Sequence, residues 1–470
     1  MLATKYAKTL KDTQFHHTHL IDSRAQKYNW LLTHCAGITD WQLVRPQEPH
    51  WFFIPVNLNL GSEYEQNPKV VEVFPVNSVG LYTARDDFAI AWSPSEIEHR
   101  LRKFIGDSIE KARSNFKLGQ DTTEWQIEWA QKDVKNSGLT KHHFREISYR
   151  PFDARFTYYS GQSRGFMCRP RPEVMQHMLD NENIAFCFIR RSREDSTNNF
   201  FIVRHIVDKS ILSSADNANV APLWLYPEQD KLSFSKDPRP NLSPKFIRQL
   251  GARLGLIEVD KFGFPKSLTP ENIFQYIYGV FYSPGYRDRY SEFLKIDFPR
   301  LPLTGNLELF RALSQLGGEL VALHLMESPK LDNHITKWPG KIPSCEIEKV
   351  TYSDETVWID KANSEGFRGV PENVWNFHIG GYRVCHKWLK DRKGRQLSKD
   401  EIEHYQKIVI ALNETIRLMA EIDDVINAHG GWPDAFQTSS GVGSTKYEME
   451  PFEYLKAAEE RTGFGNNPKK

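Results

Sequence analysis

The chain has 470 residues, enough for two or three domains at roughly 100–200 residues each. Lys plus Arg (61) balance Asp plus Glu (60), which excludes a polycationic coat but leaves room for a local basic face. Five dispersed cysteines (Cys35, Cys168, Cys187, Cys345 and Cys385), with no Cys-x-x-Cys pair, argue against a disulfide framework or zinc ribbon. The start Met1-Leu-Ala-Thr-Lys-Tyr-Ala-Lys has no apolar signal region, and no stretch approaches the roughly 18 apolar residues of a membrane span, so the expected location is the cytoplasm.

In chain order, residues 1–92 read as mixed strands and turns. Trp51-Phe-Phe-Ile-Pro-Val and Val70-Val-Glu-Val-Phe are β-type runs, punctuated by Pro55, Pro75 and Gly80. Residues 93–116 predict a helix. Ser93 is the N-cap, Pro94 suits the first helical position, and Glu96 closes a capping box; Ile97, Leu101, Phe104, Ile105 and Ile109 share one face. A second amphipathic stretch covers 122–136. Residues 144–226 turn β-rich, with strands starting near Phe152, Ile184, Phe200 and Pro222 and a short helix over 172–179.

Residues 228–245, rich in Pro, Ser, Asp and Lys, predict a loop or internal linker. Helices follow over 271–281, 285–295 and 305–326. The block 333–385 returns to short strands broken by Pro and Gly. The last helix, 399–424, is capped by Ser398 with Glu401. Ile402, Tyr405, Val409, Leu412, Ile416 and Met419 form a heptad seam, either a core helix on a neighbour or a docking face for a partner. The polar, Gly-rich tail after Gly430 is expected to fray. The whole is a mixed α+β pattern.

Several chemistries find no motif. An adenine methyltransferase needs an Asn/Asp-Pro-Pro-Tyr/Phe loop, which accepts hydrogen bonds from the flipped target amine and stacks on its ring. No such tetrapeptide occurs, and the Gly-rich Thr462-Gly-Phe-Gly follows no predicted strand. No Gly-x-x-x-x-Gly-Lys-Ser/Thr phosphate loop appears. His16-His17 and His142-His143 lack partners at zinc spacing. The expectation is a chain with no catalytic, cofactor or metal residues, not an enzyme by itself.

Two basic stretches remain. Arg164, Arg169 and Arg171 precede the short helix, and Arg190, Arg191 and Arg193 follow the next strand. If the two flanking strands pair, the six converge at one sheet end, where arginine can fork onto guanine or clamp phosphate. The second stretch holds Arg383, Lys387, Lys390, Arg392, Lys393 and Arg395, with Asp391 as the sole acid between Arg383 and Lys399. Trp388 and Leu389 anchor it, and Asp391-Arg-Lys-Gly predicts a turn that projects the charges toward a phosphate backbone.

Three strings occur together: Tyr149-Arg-Pro-Phe-Asp-Ala-Arg-Phe-Thr-Tyr-Tyr; Phe274-Gln-Tyr-Ile-Tyr-Gly-Val-Phe-Tyr-Ser-Pro-Gly-Tyr-Arg-Asp-Arg-Tyr, continuing to Leu303; and Val374-Trp-Asn-Phe-His-Ile-Gly-Gly-Tyr-Arg-Val-Cys-His-Lys-Trp-Leu-Lys-Asp-Arg. As a set they resemble the C-terminal specificity domain of type ISP restriction-modification enzymes and their N6-adenine methyltransferase relatives, over about 140–426. In that family one polypeptide joins a nuclease, a helicase-like motor, a methyltransferase and a target recognition domain.

The resemblance implies four segments: 1–92, like the region after a methyltransferase core; a helical linker, 93–140; a target recognition domain, 141–426; and a flexible tail, 427–470. The implied fold is a β-rich recognition domain with a helical spacer and a small N-terminal α/β segment. The implied function is sequence-specific recognition of double-stranded DNA. Catalysis would come from a partner methyltransferase or restriction subunit, which would bind S-adenosylmethionine; this chain would hold no cofactor. The rival reading is a non-catalytic interaction or decoy protein that docks on a restriction-modification enzyme.

Overall fold

The computed structural model describes residues 14–20, 23–48, 51, 53–55, 57–193, 197–227, 237–260 and 263–437. Most of the predicted linker, 228–236, and the tail from 438, with Thr462-Gly-Phe-Gly, lie outside them. The chain divides into two compact units, Met1–Gln66 and Asn67–Lys470. In the first, strand Phe15–His17 pairs antiparallel with Gln42–Val44, and Ser23 caps the helix Arg24–Thr33. The β-type run from Trp51 forms no strand among its described residues.

The second unit is a mixed α+β fold built on two four-stranded sheets. One has the order Ile90–Ala91, Asp153–Tyr158, Phe144–Arg150, Ile206–Val207, with only the last pairing parallel. The other is antiparallel throughout, in the order Ser78–Val79, Ala218–Pro222, Ala185–Ile189, Phe200–Val203. All five residues of Ala185–Ile189 are buried. That run is therefore covered on both faces, as its continuous apolar sequence requires. A parallel bridge from Leu81 to Asp208 and an antiparallel one from Tyr82 to Arg169 join neighbouring segments.

Helices cover the second sheet. Pro270–Tyr282 has a capping box from Thr269 and Asn272, and packs on Leu307–His324. The two backbones meet through glycines. A Cβ on Gly317 would sit 1.9 Å from the Gln275 carbonyl oxygen, and one on Gly279 would sit 2.6 Å from that of Leu313. Phe281 stacks on Phe186 and Phe200 of the sheet, with centroids 5.7 and 4.6 Å away. The capping box of Ser398 and Glu401 starts the longest helix, Lys399–Ala428. Its seam residues Ile402, Tyr405, Val409 and Leu412 are buried, as are Ile408, Ile410 and Ala411 around them, while Ile416 and Met419 are half-buried. The core-helix reading holds over its first half.

Three expectations change. Val70–Val73 is one helical turn rather than a strand. A local cap starts the turn, the Glu72 carboxylate accepting from the Lys69 N–H at 2.8 Å, while Val70, Val73 and Phe74 are fully enclosed and the Val70 N–H donates to Pro299. The helix expected over 93–116 breaks at Asp107, giving Pro94–Gly106 and Ile109–Asn115. The Asp107 carboxylate accepts from the Asn115 side chain at 2.7 Å and pairs with Lys111, so the acid at the break is tied to side chains of the second helix. Residues 431–437 do not fray. Trp432 stacks on Phe436 at 4.1 Å, and the Thr304 hydroxyl donates to Ala435.

His324 ties three helices together. The Thr415 hydroxyl donates to Ala411, so it must accept from His324 Nε2 at 2.8 Å. The Nδ1 atom is then unprotonated and accepts from Tyr278 at 2.5 Å. Burial pushes the imidazole pKa from an ordinary 6.5 down to about 3. The folded ring binds its proton more weakly than the unfolded chain does. Its contribution to stability is complete above about pH 6.5 and is lost as pH falls toward 3. Imidazole nitrogen NMR of the folded protein at pH 5 should show a neutral ring carrying its proton on Nε2; a cationic ring would contradict this assignment.

Candidate nucleic-acid interface

The strands flanking the first basic stretch do not pair. Asp153–Tyr158 has Phe144–Arg150 and Ile90–Ala91 as neighbours, whereas Ala185–Ile189 lies between Ala218–Pro222 and Phe200–Val203. Both edges of each strand are occupied, so the six arginines divide between two sheets rather than converging on one pairing.

Arg164 is exposed, in a left-handed turn (φ 56°), 5.7 Å above the Trp129 ring. The next residue must be Gly165, because a Cβ there would lie 2.2 Å from the Asp133 carboxylate. Arg169 is ion-paired with Glu124, and Arg171, also left-handed, precedes the short helix Pro172–Met175. Arg190 pairs with Asp297 at 2.9 Å and lies over Phe298, while Arg193 pairs with Asp216 at 2.6 Å. Burial pushes the Asp297 carboxyl up, but hydrogen bonds from Lys69 and Arg190 outweigh it and hold the group at about 2. Arg191 is exposed with no ion pair among the described residues.

The second stretch is a short helix, Val384–Lys390, followed by a turn. Arg383 lies 4.8 Å over Trp375, and Lys387 pairs with Asp391 at 2.6 Å. Lys390 and Lys393 are exposed and carry no ion pair among the described residues. Arg395 is partly exposed, pairs with Glu401 at 3.2 Å and stacks on Trp92 at 3.9 Å.

Arg392 does not project from the turn. It is buried at 5% exposure, 3.4 Å over the Trp388 ring, and donates to Asp153 at 2.9 Å. The other oxygen of Asp153 accepts from Arg155 at 2.8 Å. Asp153 is itself only 3% exposed. Burial would raise its pKa, but the two guanidinium groups outweigh this and hold it low. A buried carboxylate must be paired, and this demand draws Arg392 inward.

The sequence reading missed a stack of arginines and aromatic rings across the first sheet. Arg150 lies 3.8 Å over Tyr149 and 5.7 Å from Tyr382. Arg155 sits between Tyr149 at 4.3 Å and Trp92 at 4.0 Å, and Arg395 continues on Trp92. Carboxylates neutralise much of this positive charge: Asp208 pairs with Arg150 at 2.8 Å, and Asp391 lies 3.6 Å from Arg155. Burial pushes Asp208 up to about 6 against the pull of Arg150. The signal was partly present, because Asp153 and Arg155 stand two apart on a strand and so face the same side. Trp92, from a distant segment, gave none.

The site thus has exposed cations without an ion pair among the described residues at Arg164, Arg191, Lys390 and Lys393, and a largely neutral arginine–aromatic wall. Residues 72–421 match the family described as the Type ISP C-terminal specificity domain. The chain belongs to that family. The specificity-domain fold recurs in solved structures. It resembles a nuclease-deletion mutant of the Type ISP restriction-modification enzyme LlaGI in complex with a DNA substrate mimic (TM-score 0.61, 16% identity, 88% of this chain and 39% of that one). It also resembles the DrdV–DNA complex (TM-score 0.62, 18% identity, 87% and 43%). A third likeness is to the ATP-dependent Type ISP restriction-modification enzyme LlaBIII bound to DNA (TM-score 0.57, 15% identity, 81% and 25%). The chain spans less than half the length of each of these three. No curated protein gave a match.

Within this specificity domain, Arg392 and Lys393 should separate sharply although they are neighbours. Arg392→Ala leaves Asp153 buried with Arg155 alone and should cost about 3–5 kcal/mol. Lys393→Ala should stay within about 0.5 kcal/mol of the parent. Urea unfolding midpoints of the two variants check this; equal midpoints would show that the buried pair contributes nothing.

Proposed function

We propose that this chain reads a short, asymmetric sequence in double-stranded DNA as the specificity part of a restriction-modification system. Catalysis would be supplied by a methyltransferase or restriction subunit. The observation that carries the reading is membership of the Type ISP specificity-domain family over 72–421, supported by a fold shared with three proteins whose structures contain DNA or a mimic of it. The partner methyltransferase would hold S-adenosylmethionine and act on adenine; this chain would place the target before it. The setting is cytoplasmic, consistent with the absence of any membrane-length apolar helix among the described residues.

The cations divide by role in this proposal. Lys390, Lys393, Arg191 and Arg164 are exposed and have no ion pair among the described residues, so they would neutralise phosphates without first breaking a described internal bond. Arg190 and Arg193 are held by Asp297 and Asp216, which would fix their guanidinium groups before a base edge arrives. Arg169, Arg383, Lys387 and Arg395 are partly engaged with acids or rings and would frame the interface together with the half-buried Arg171. Arg392 would act through the fold, not through DNA.

Replacing Lys390 and Lys393 with Ala should weaken binding to every duplex sequence alike. It should reduce the slope of log K against log salt by about 2, roughly one for each lost phosphate contact. Fluorescence anisotropy with labelled duplex across a salt series measures it. An unchanged slope would remove the two lysines from the interface.

A further inference from the structure

Away from the basic turn, a cleft of about 370 Å³ opens between four segments: Thr197–Asn198, Pro284–Asp288, Asn373–His378 and Met419 of the long helix. The volume lies near the lower end of the range of small-molecule sites, roughly 300–1,000 Å³. Its walls come from two strings that also carry the family resemblance, one supplying Arg287 and Asp288, the other Asn376 and His378. Gly380 seats the second of these strings against the segments of Asn198 and Leu212. Its φ is +57°, its N–H donates to Asn198, and a Cβ there would lie 1.9 Å from the Leu212 carbonyl oxygen. No side-chain-bearing residue fits at this turn.

Arg287 lines the cleft at 6% exposure. A guanidinium buried this far ordinarily has a carboxylate against it. Arg287 has none within ion-pair reach among the described residues. Its polar contact is the soft Met419 Sδ, at 3.7 Å, and the Tyr282 ring lies 5.9 Å away. Asp423 attracts it only from a distance, since that carboxylate accepts from the Ser283 hydroxyl and the Gly285 N–H. Asp288 is exposed on the rim and lowers the appetite for anions without forming a pair. The rest of the lining mixes exposed Asn373, Asn376 and His378 with the apolar Pro284, Phe377 and Met419.

A planar fork of donors in such a cleft matches a tetrahedral oxyanion, which it can grip with two parallel hydrogen bonds. We propose that this cleft binds a phosphate group through Arg287, carried by a small molecule of about mononucleotide size, with the asparagine amides on the rim hydrogen-bonding the remainder. The same phosphate chemistry could come from the DNA backbone, and the experiment separates the two sources.

The full chain would be titrated calorimetrically with adenosine monophosphate, adenosine, inorganic phosphate and a short duplex. The monophosphate and phosphate should bind and adenosine should not. Asn376→Asp, which adds a carboxylate at an exposed position, should weaken monophosphate binding at least tenfold with an unchanged Tm. Arg287→Lys keeps the charge but loses the fork and should also weaken it. Phosphate binding that duplex DNA displaces, with Asn376→Asp weakening both, would keep the oxyanion site and assign its occupant to the DNA backbone. No heat from either phosphate ligand, or equal binding by Asn376→Asp, would overturn the proposal.

Discussion

The buried carboxylate of Asp153 organises this specificity domain. It lies on a central strand of the first sheet, and its two oxygens are taken by Arg155 from the same strand and by Arg392 from a turn 239 residues further along the chain. Removing a charge from water is tolerated only with such full pairing. The consequence reaches well beyond the pair. Arg392 brings Trp388 and the cap of the long helix against the sheet, and Glu401 of that cap in turn takes Arg392 and Arg395. The arginine–aromatic stack through Trp92 and Tyr149 grows outward from this junction.

The same constraint sorts the surface charge. Cations near the junction are consumed by internal carboxylates, while Lys390 and Lys393 on the adjoining turn are left to solvent. A nearly neutral chain can in this way keep a local basic face. The pairing also makes the face rigid, because the turn that presents the lysines is fixed from beneath by Arg392. Under the proposed function, such support would keep the recognition geometry of that turn defined. In the other sheet, Asp297 and Asp216 hold Arg190 and Arg193 by the same means, at the surface instead of in the core.

Much of the helical half was legible in the sequence, because caps are local. Ser93 and Ser398 each begin a helix through a side chain three residues from the N–H it accepts, and that spacing is visible in one dimension. The mixed α+β class followed from the alternation of such helices with short apolar runs. Sheet partition was not legible. The strands Asp153–Tyr158 and Ala185–Ile189 are near neighbours in sequence, yet each is claimed by other partners. Val70–Val73 has strand-like composition but forms a helical turn, capped by Glu72 on the Lys69 N–H and bonded through the Val70 N–H to the distant Pro299. Arg392 looked like its basic neighbours because charge counting cannot see a buried acid 239 residues away. The cleft around Arg287 gave no warning either, since its residues come from four separated segments.

The central claim is that this domain reads DNA sequence. Its most direct test is to retain random-sequence duplexes on the full chain across a salt series and sequence the retained fraction. The account predicts a single short enriched motif whose retention falls as salt rises. Absence of retention at the lowest salt would contradict it and point instead to a protein that docks on a restriction-modification enzyme without touching DNA.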